Sequence, residues 1–287
     1  MRQAVARALT SVAEPIPPHP ESGVLSADIA LQLQRLTPRV HLVQCLNGIG
    51  GNVVALAGQD GLLLVDSMLA AHGSRLQSTL RTASPSPVRL VINTHSHLDH
   101  SGGNEFFRRK ATVIAQANTF ERLRENEGAE LYPMQVFADE HSLWFGGEMI
   151  HIRHMPASHT DGDAIVYFER SGVLHLGDIF FRGMFPVHSG DGGTLRGLTR
   201  ALEFIVDAYP PDTIVVPGHG EVTTVQAVSA RLCALKTLIH AIERSRRDGR
   251  TSLEFENDPK MQALACGMVG NDAHAADYLD GLWMLID

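Results

Sequence analysis

Apolar residues recur along this chain as short runs, several rich in β-branched residues, broken by turn residues and by longer segments of helical periodicity. Val40–Cys45, Asn52–Leu56 and Gly61–Asp66 are three such runs, and their length and composition predict strands. Gly58-Gln59-Asp60-Gly61 joins the second run to the third and carries a hairpin signal. Residues 72–83 read as a helix that stops before Pro85. The buried-type run 88–93 follows, so the order strand–helix–strand places it in the same sheet. Further on the pattern predicts helix 102–109, strand 111–115 and helix 117–126, with 127–147 less regular. Strands are expected at 149–154, 164–169, 172–177 and 213–216, and helices at 193–208, 223–247, 259–268 and 273–285. No internal repeat is visible. The proline-rich patch Pro15-Ile16-Pro17-Pro18-His19-Pro20 fits neither helix nor central strand. Residues 1–38 therefore read as an extended lead-in, and 39–287 as one domain.

Composition narrows the class. The 287 residues are 44% hydrophobic and 20% charged, ordinary for a globular protein. A net charge of −8 argues against nucleic acid as the partner, because phosphate binding needs a basic face. Arg244, Arg246, Arg247 and Arg250 cluster, but at the end of a predicted helix, where cations complement the dipole in solvent. No run approaches the length of a membrane span, so no membrane partner is expected. Met1 to Ala13 hold no sustained apolar stretch, so a cytoplasmic location is expected. Cys45, Cys233 and Cys266 are odd in number and widely spaced, and they read as reduced core thiols.

Chemistry is concentrated in four places. His95, His97, Asp99 and His100 form H-x-H-x-D-H directly after the strand 88–93. Imidazole and carboxylate suit zinc and other borderline divalent metals. In an extended segment His95 and His97 point the same way and can reach one ion. Asp99 and His100 follow where the chain turns, ahead of Gly102 and Gly103, and can address a second ion. His159 lies in Pro156-Ala157-Ser158-His159-Thr160-Asp161-Gly162-Asp163, Asp178 ends Val173–Asp178, and His219 sits in Pro217-Gly218-His219-Gly220. Each follows or ends a strand-like run beside Gly or Pro, as ligands on loop ends do.

This order of motifs resembles the metallo-β-lactamase-fold hydrolase superfamily over roughly residues 39–222. The resemblance implies a four-layer αββα sandwich of the α/β (α+β) class, with metals at one rim. It further implies a first metal on His95, His97 and His159, a second on Asp99, His100 and His219, and Asp178 bridging them. Two zinc ions are the implied cofactors, with iron or manganese as alternatives. The implied reaction is attack by metal-bound hydroxide on a small acyl substrate, with Asp99 also orienting the nucleophile or passing a proton to the leaving group.

An Asp at position 178, where some zinc β-lactamases carry Cys, looks like the glyoxalase II and lactonase branch. That ranks cleavage of an ester, thioester, lactone or amide-type acyl bond first. β-Lactam hydrolysis is the alternative, and an iron-dependent dioxygenase of the same fold the second alternative.

Phe181, Arg182, Met184 and Phe185 follow the bridging residue and are candidate substrate contacts, Arg182 offering a cation for an anionic group. The Gly-rich loop Asn47–Gly51 shapes the pocket or is a plain flexible turn. Tyr132 reads as packing and His188 as a candidate pocket acid. His175 reads as a buried, hydrogen-bonded neighbour of the metal ligands. Asp161 and Asp163 either orient ligands or start the next strand.

Overall fold

The structure is a computed structural model that describes residues 29–47, 50–127, 134–181, 187–269 and 274–286. Alternate residues of its central strands serve two different cores, and that alternation builds the layers. The first sheet has seven strands in the order β1 to β7. β1 (Leu31–Arg35), β2 (Val40–Cys45), β3 (Val53–Gly58) and β4 (Gly61–Val65) run antiparallel, each to the one before it. Helix α1 (Gly73–Ala83) crosses over to β5 (Val88–Ile92), which lies parallel to β4. Two one-turn helices, α2 (Leu98–Ser101) and α3 (Asn104–Phe107), lead to β6 (Thr112–Gln116). Helix α4 (Ala117–Glu127) leads to β7 (Met134–Phe137), and both of these strands continue the parallel half.

The second sheet has six strands in the order β13-β12-β11-β10-β9-β8. They are β8 (Glu140–Phe145), β9 (Glu148–His154), β10 (Ala164–Phe168), β11 (Val173–His175), β12 (Ile214–Val216) and β13 (Thr223–Thr224). Helix α5 (Leu195–Ala208) connects β11 to its parallel neighbour β12. After β13 come α6 (Val225–Arg247), α7 (Ser252–Glu256), α8 (Pro259–Val269) and α9 (Ala275–Leu285).

Val54, Leu56, Leu63, Val65 and Ile92 of the first sheet meet Ile150, Ile152, Val166, Phe168 and Val216 of the second in one buried core. The alternate positions Val53, Ala55, Leu62 and Leu64 face outward and are covered by Leu76 and Leu80 of α1 with Phe107. On the far side Ile165, Leu174 and Val215 are covered by α5, α6, α8 and α9. The result is the expected αββα sandwich.

The structure departs from the sequence reading in five places. Residues 31–35, inside the expected lead-in, form edge strand β1, whose Leu-Gln-Leu-Gln-Arg alternation is polar on one side. The irregular stretch 127–147 holds β7 and β8, which are largely half-exposed and so lack an apolar run to read. Helix α6 is 23 residues and apolar enough by length and composition to cross a membrane, contrary to the expectation. Here its stripe of Val228, Leu232, Leu235, Leu238 and Ile242 is buried against α5 and α8. Of the three expected core thiols, all are free, but Cys233 is exposed and the other two are half-buried. The arginines ending α6 do more than meet solvent: Arg246 donates to the Trp283 carbonyl, and Arg250 pairs with Asp258.

Candidate metal centre

All seven predicted ligands meet at one rim of the sandwich, on the segments that follow β5, β9, β11 and β12, with Asp99 and His100 on the one-turn helix α2. Ligand atoms of His95, His97, His159 and Asp178 lie within 4.8 Å of one another, as do those of Asp99, His100 and His219. The first set closes tightly, with His159 Nε2 3.1 Å from His97 Nδ1. Asp178 stands between the sets. Its Oδ2 lies 3.9 Å from His95 Nε2, 3.7 Å from His159 Nε2 and 3.6 Å from His219 Nε2. Its Oδ1 lies 3.2 Å from His100 Nε2. Asp99 Oδ2 is 3.0 Å from His219 Nε2.

Outer partners fix which nitrogen of His95, His97 and His100 faces inward, and the sequence reading missed most of them. Asp66, fully buried at the end of β4, accepts from Thr94 N, Thr94 Oγ1 and His100 Nδ1, each at 2.8 Å. The Thr94 hydroxyl gives its proton to Asp66, so it accepts from His95 Nδ1 at 3.1 Å. Both rings therefore carry a proton on Nδ1 and turn Nε2 toward the centre. His97 is turned the other way: its Nε2 donates to Asp191 Oδ2 at 3.0 Å, which leaves Nδ1 facing inward. Arg122 clamps that carboxylate from Nη1 while its other nitrogens hold Asp161. Such partners raise ligand basicity and lock ring orientation.

Charge in the cluster is arranged to receive a cation. Burial opposes ionisation of Asp178, but His100 and His219 hold its carboxyl well below the usual range. Burial likewise disfavours charge on His219, yet Asp178 and Asp99 push it up to about 9. Burial also disfavours charge on His100, which Asp178, Asp99 and Asp66 raise well above its ordinary value. His95 goes the opposite way, driven well down chiefly by burial and then by His100. It stays a neutral donor, and its buried Nε2 has no hydrogen-bond partner. A buried lone pair with nothing to accept from, aimed among carboxylates that demand positive charge, fits a metal ion.

Glycines let the backbone close on this cluster. A Cβ at Gly218 would fall 1.8 Å from Asp178 Oδ1, and one at Gly51 2.5 Å from the His100 ring. The Gly-rich loop is thus a close approach at Gly51, not a plain turn; Gly48 and Ile49 lie outside the described residues. Asn52 locks that approach, since its backbone N donates to Gly218 O at 2.7 Å and its amide to the Pro217 and Gly220 carbonyls at 2.9 Å each.

The remaining candidates divide. His175 is buried as expected: Nε2 donates to Asn52 O, and Nδ1 accepts from the N–H of Gly177, next to Asp178. Asp163 organises the His159 turn by accepting from Ser158 Oγ, Thr160 N and Thr160 Oγ1, and burial pushes its carboxyl up to about 6. Asp161 serves Arg122. His188 is exposed and its Nδ1 lies 2.9 Å from Asp191. Phe181 is buried, with its ring edge-on to His219 at 5.7 Å. Arg182, Met184 and Phe185 lie outside the described residues, as does Tyr132.

Comparison with known proteins identifies the family. The sequence model of the metallo-beta-lactamase superfamily matches residues 46–219. A probable hydroxyacylglutathione hydrolase of Schizosaccharomyces pombe is 27% identical over 136 residues, which are 46% of this chain and 48% of that protein. The chain thus spans about half the length of that relative. Metallo-beta-lactamase IND-1 of Chryseobacterium indologenes is 24% identical over 63% of this chain and 79% of its own. Among solved structures, a metallo-beta-lactamase from Pontibacter korlensis superposes with a TM-score of 0.63 at 20% identity, covering 72% of this chain and 99% of that one, a likeness of fold. With the family model spanning more than half of its length and the His/Asp cluster in place, this chain belongs to the metallo-β-lactamase superfamily and is a metal-dependent hydrolase.

Proposed function

We propose that the chain is a dinuclear zinc hydrolase that cleaves an ester, thioester, lactone or amide-type acyl bond of a small molecule. One observation carries the reading: the Asp178 carboxylate lies between two complete ligand sets, one oxygen toward His95, His159 and His219 and the other toward His100. His95, His97 and His159 would hold the first ion, Asp99, His100 and His219 the second, with Asp178 shared. The donor set holds nitrogen and oxygen and no sulfur, which suits a catalytic zinc site with open positions. Two divalent cations so held supply a water acidic enough to ionise near neutral pH and polarise a carbonyl.

The chain's own groups do the rest. Asp99 is the more exposed of the two carboxylates, and in this reading it orients the attacking water and carries a proton to the leaving group. Phe181, walled against His219, excludes water beside the second set and offers an apolar surface for the acyl portion. Arg182, Met184 and Phe185 are proposed as further contacts, Arg182 for an anionic group. Beside His97 a recess of about 200 Å³, lined by Ser96, Leu98, Arg122, Glu125 and Asp191, extends the cleft on a small-molecule scale.

Asp at position 178 favours the thioester and ester branch over the β-lactamases with Cys. β-Lactam hydrolysis remains the second reading, supported by the relative of that name aligned over 63% of this chain. The test is elemental analysis by inductively coupled plasma of purified and metal-reconstituted protein, joined to a panel of thioester, ester, lactone and β-lactam substrates. Two zinc equivalents and thioester or ester turnover, lost by orders of magnitude in Asp178→Asn, are expected. One equivalent after reconstitution sinks the dinuclear reading, and iron as the dominant metal moves it to dioxygenase chemistry.

A further inference from the structure

Helices α6 to α9 lie beyond the segment matched by the family model, yet they reach the metal loop. Ile179 and Phe180, directly after Asp178, are buried in the same apolar cluster as Leu235, Met268, Tyr278 and Leu279 of these helices. The joint leaves only about 10 Å³ accessible to water, so it is packed seam and not ligand pocket. Across it runs one fork. Arg231 of α6 donates from Nη2 to the Phe181 carbonyl at 3.2 Å and from Nη1 to the Met268 carbonyl. Met268 lies in the last turn of α8, where carbonyls lack intrahelical donors. The planar guanidinium therefore fixes the distance between the end of α8 and the loop, and its carbon lies 5.9 Å from the centroid of the Phe180 ring.

Phe181 is three residues after the bridging Asp178, and its ring abuts His219. The segment held by Arg231 thus starts at one ligand and ends against another. We propose that Arg231 is a positioning residue for the second metal, by which the C-terminal helices set the placement of Asp178 and His219. This rests on the two-metal reading above.

Arg246 supplies the control. It sits on the same helix and makes the same kind of bond, to the Trp283 carbonyl of α9, whose ring its guanidinium also covers, so its partner lies on α9 and not on the metal loop. Wild type, Arg231→Ala, Arg231→Lys and Arg246→Ala, as full chains, are titrated with cobalt(II). The two stepwise affinities are read by chelator competition and the visible spectrum. Arg231→Ala is expected to weaken the second equivalent by about 10- to 100-fold while sparing the first, the range for outer partners of metal ligands. Arg231→Lys should fall between, and Arg246→Ala should match wild type.

Equal behaviour of Arg231→Ala and Arg246→Ala, or parallel loss of both equivalents, overturns the proposal. If Arg231→Ala does not fold, Arg231→Lys decides: selective weakening of the second equivalent supports it, and two unchanged affinities overturn it. A single equivalent in wild type would instead remove the two-metal reading, and this proposal with it.

Discussion

Replacing Asp66 with Asn keeps the size of a buried side chain and changes one thing, the sign of the group facing His100. The carboxylate accepts three hydrogen bonds, from Thr94 N, Thr94 Oγ1 and His100 Nδ1. An Asn side chain can keep the first through its oxygen. Its NH2 then faces the Thr94 hydroxyl, which can rotate to accept, and the His100 Nδ1–H, which cannot. His100 must move its proton to Nε2, the atom 3.2 Å from Asp178 Oδ1 that the second metal needs. Loss of a hydrogen bond to a charged group is worth about 1.5–3 kcal/mol. At about 1.4 kcal/mol per tenfold, that is a 10- to 100-fold weaker second metal. The first metal should change less, because His97 and His159 do not touch Asp66 and His95 meets it only through the Thr94 hydroxyl, which can still accept from His95 Nδ1.

Stepwise zinc affinities from chelator competition, with circular dichroism to confirm folding, test this reasoning. A folded Asp66→Asn protein that holds its second zinc as tightly as wild type would refute the tautomer argument. A uniform loss at both positions would show that Asp66 supports the β4–β5 region rather than one ring.

Three further outcomes are expected. Gly218→Ala puts a Cβ 1.8 Å from Asp178 Oδ1 and 2.7 Å from the Gly177 carbonyl carbon, so Asp178 must shift; metal analysis should find the second equivalent missing, and full occupancy would contradict the close-approach reading. His72 is buried with its Nδ1 unpartnered, and burial holds it below its ordinary 6.5. Below about pH 6.5 the unfolded chain binds a proton that the folded chain refuses, so stability present above that pH falls on acidification, by up to ~1.4 kcal/mol per unit. His72→Leu should flatten that acid limb in urea melts at pH 4.5–7, and an unchanged slope would rule His72 out. Removal of metal by chelator should lower the melting temperature, because a ligand at about 1,000 times its Kd adds about 4 kcal/mol to the folded state; identical melts with and without zinc would argue against preformed sites.

The seven candidate ligands are legible in the sequence because they are marked locally. H-x-H-x-D-H is contiguous, and His159, Asp178 and His219 each end a strand-like run next to Gly or Pro. The structure brings all seven to one rim. What orients them was illegible, because those contacts are far apart in sequence. Asp66 lies 34 residues from His100, and Asp191 lies 94 from His97. An Asp closing the apolar run Gly61–Asp66 carried a faint signal, since a carboxylate at the end of a buried strand needs partners. Asp191 carried none. The missed strands have the same kind of cause: β1, β7 and β8 sit at sheet edges, where packing on one side suffices and solvent-facing residues break up any apolar run.

Each ligand set draws on both sheets, and this explains where the protein spends its polar contacts. His95, His97, Asp99 and His100 come from the loop after β5 in the first sheet, whereas His159, Asp178 and His219 come from the second. Neither half alone holds a complete set, so the ligands converge only if the sheets are already in register. The buried inter-sheet core supplies that register coarsely, since apolar contact is not directional. Asn52 supplies it finely. From the first sheet it binds the Pro217, Gly218 and Gly220 carbonyls that flank His219, and its own carbonyl accepts from His175 beside the Asp178 turn. These bonds are directional, largely buried and independent of any ion. The cost of aligning the halves is met on folding, so metal affinity is left to set by the ligand rings and the carboxylates behind them.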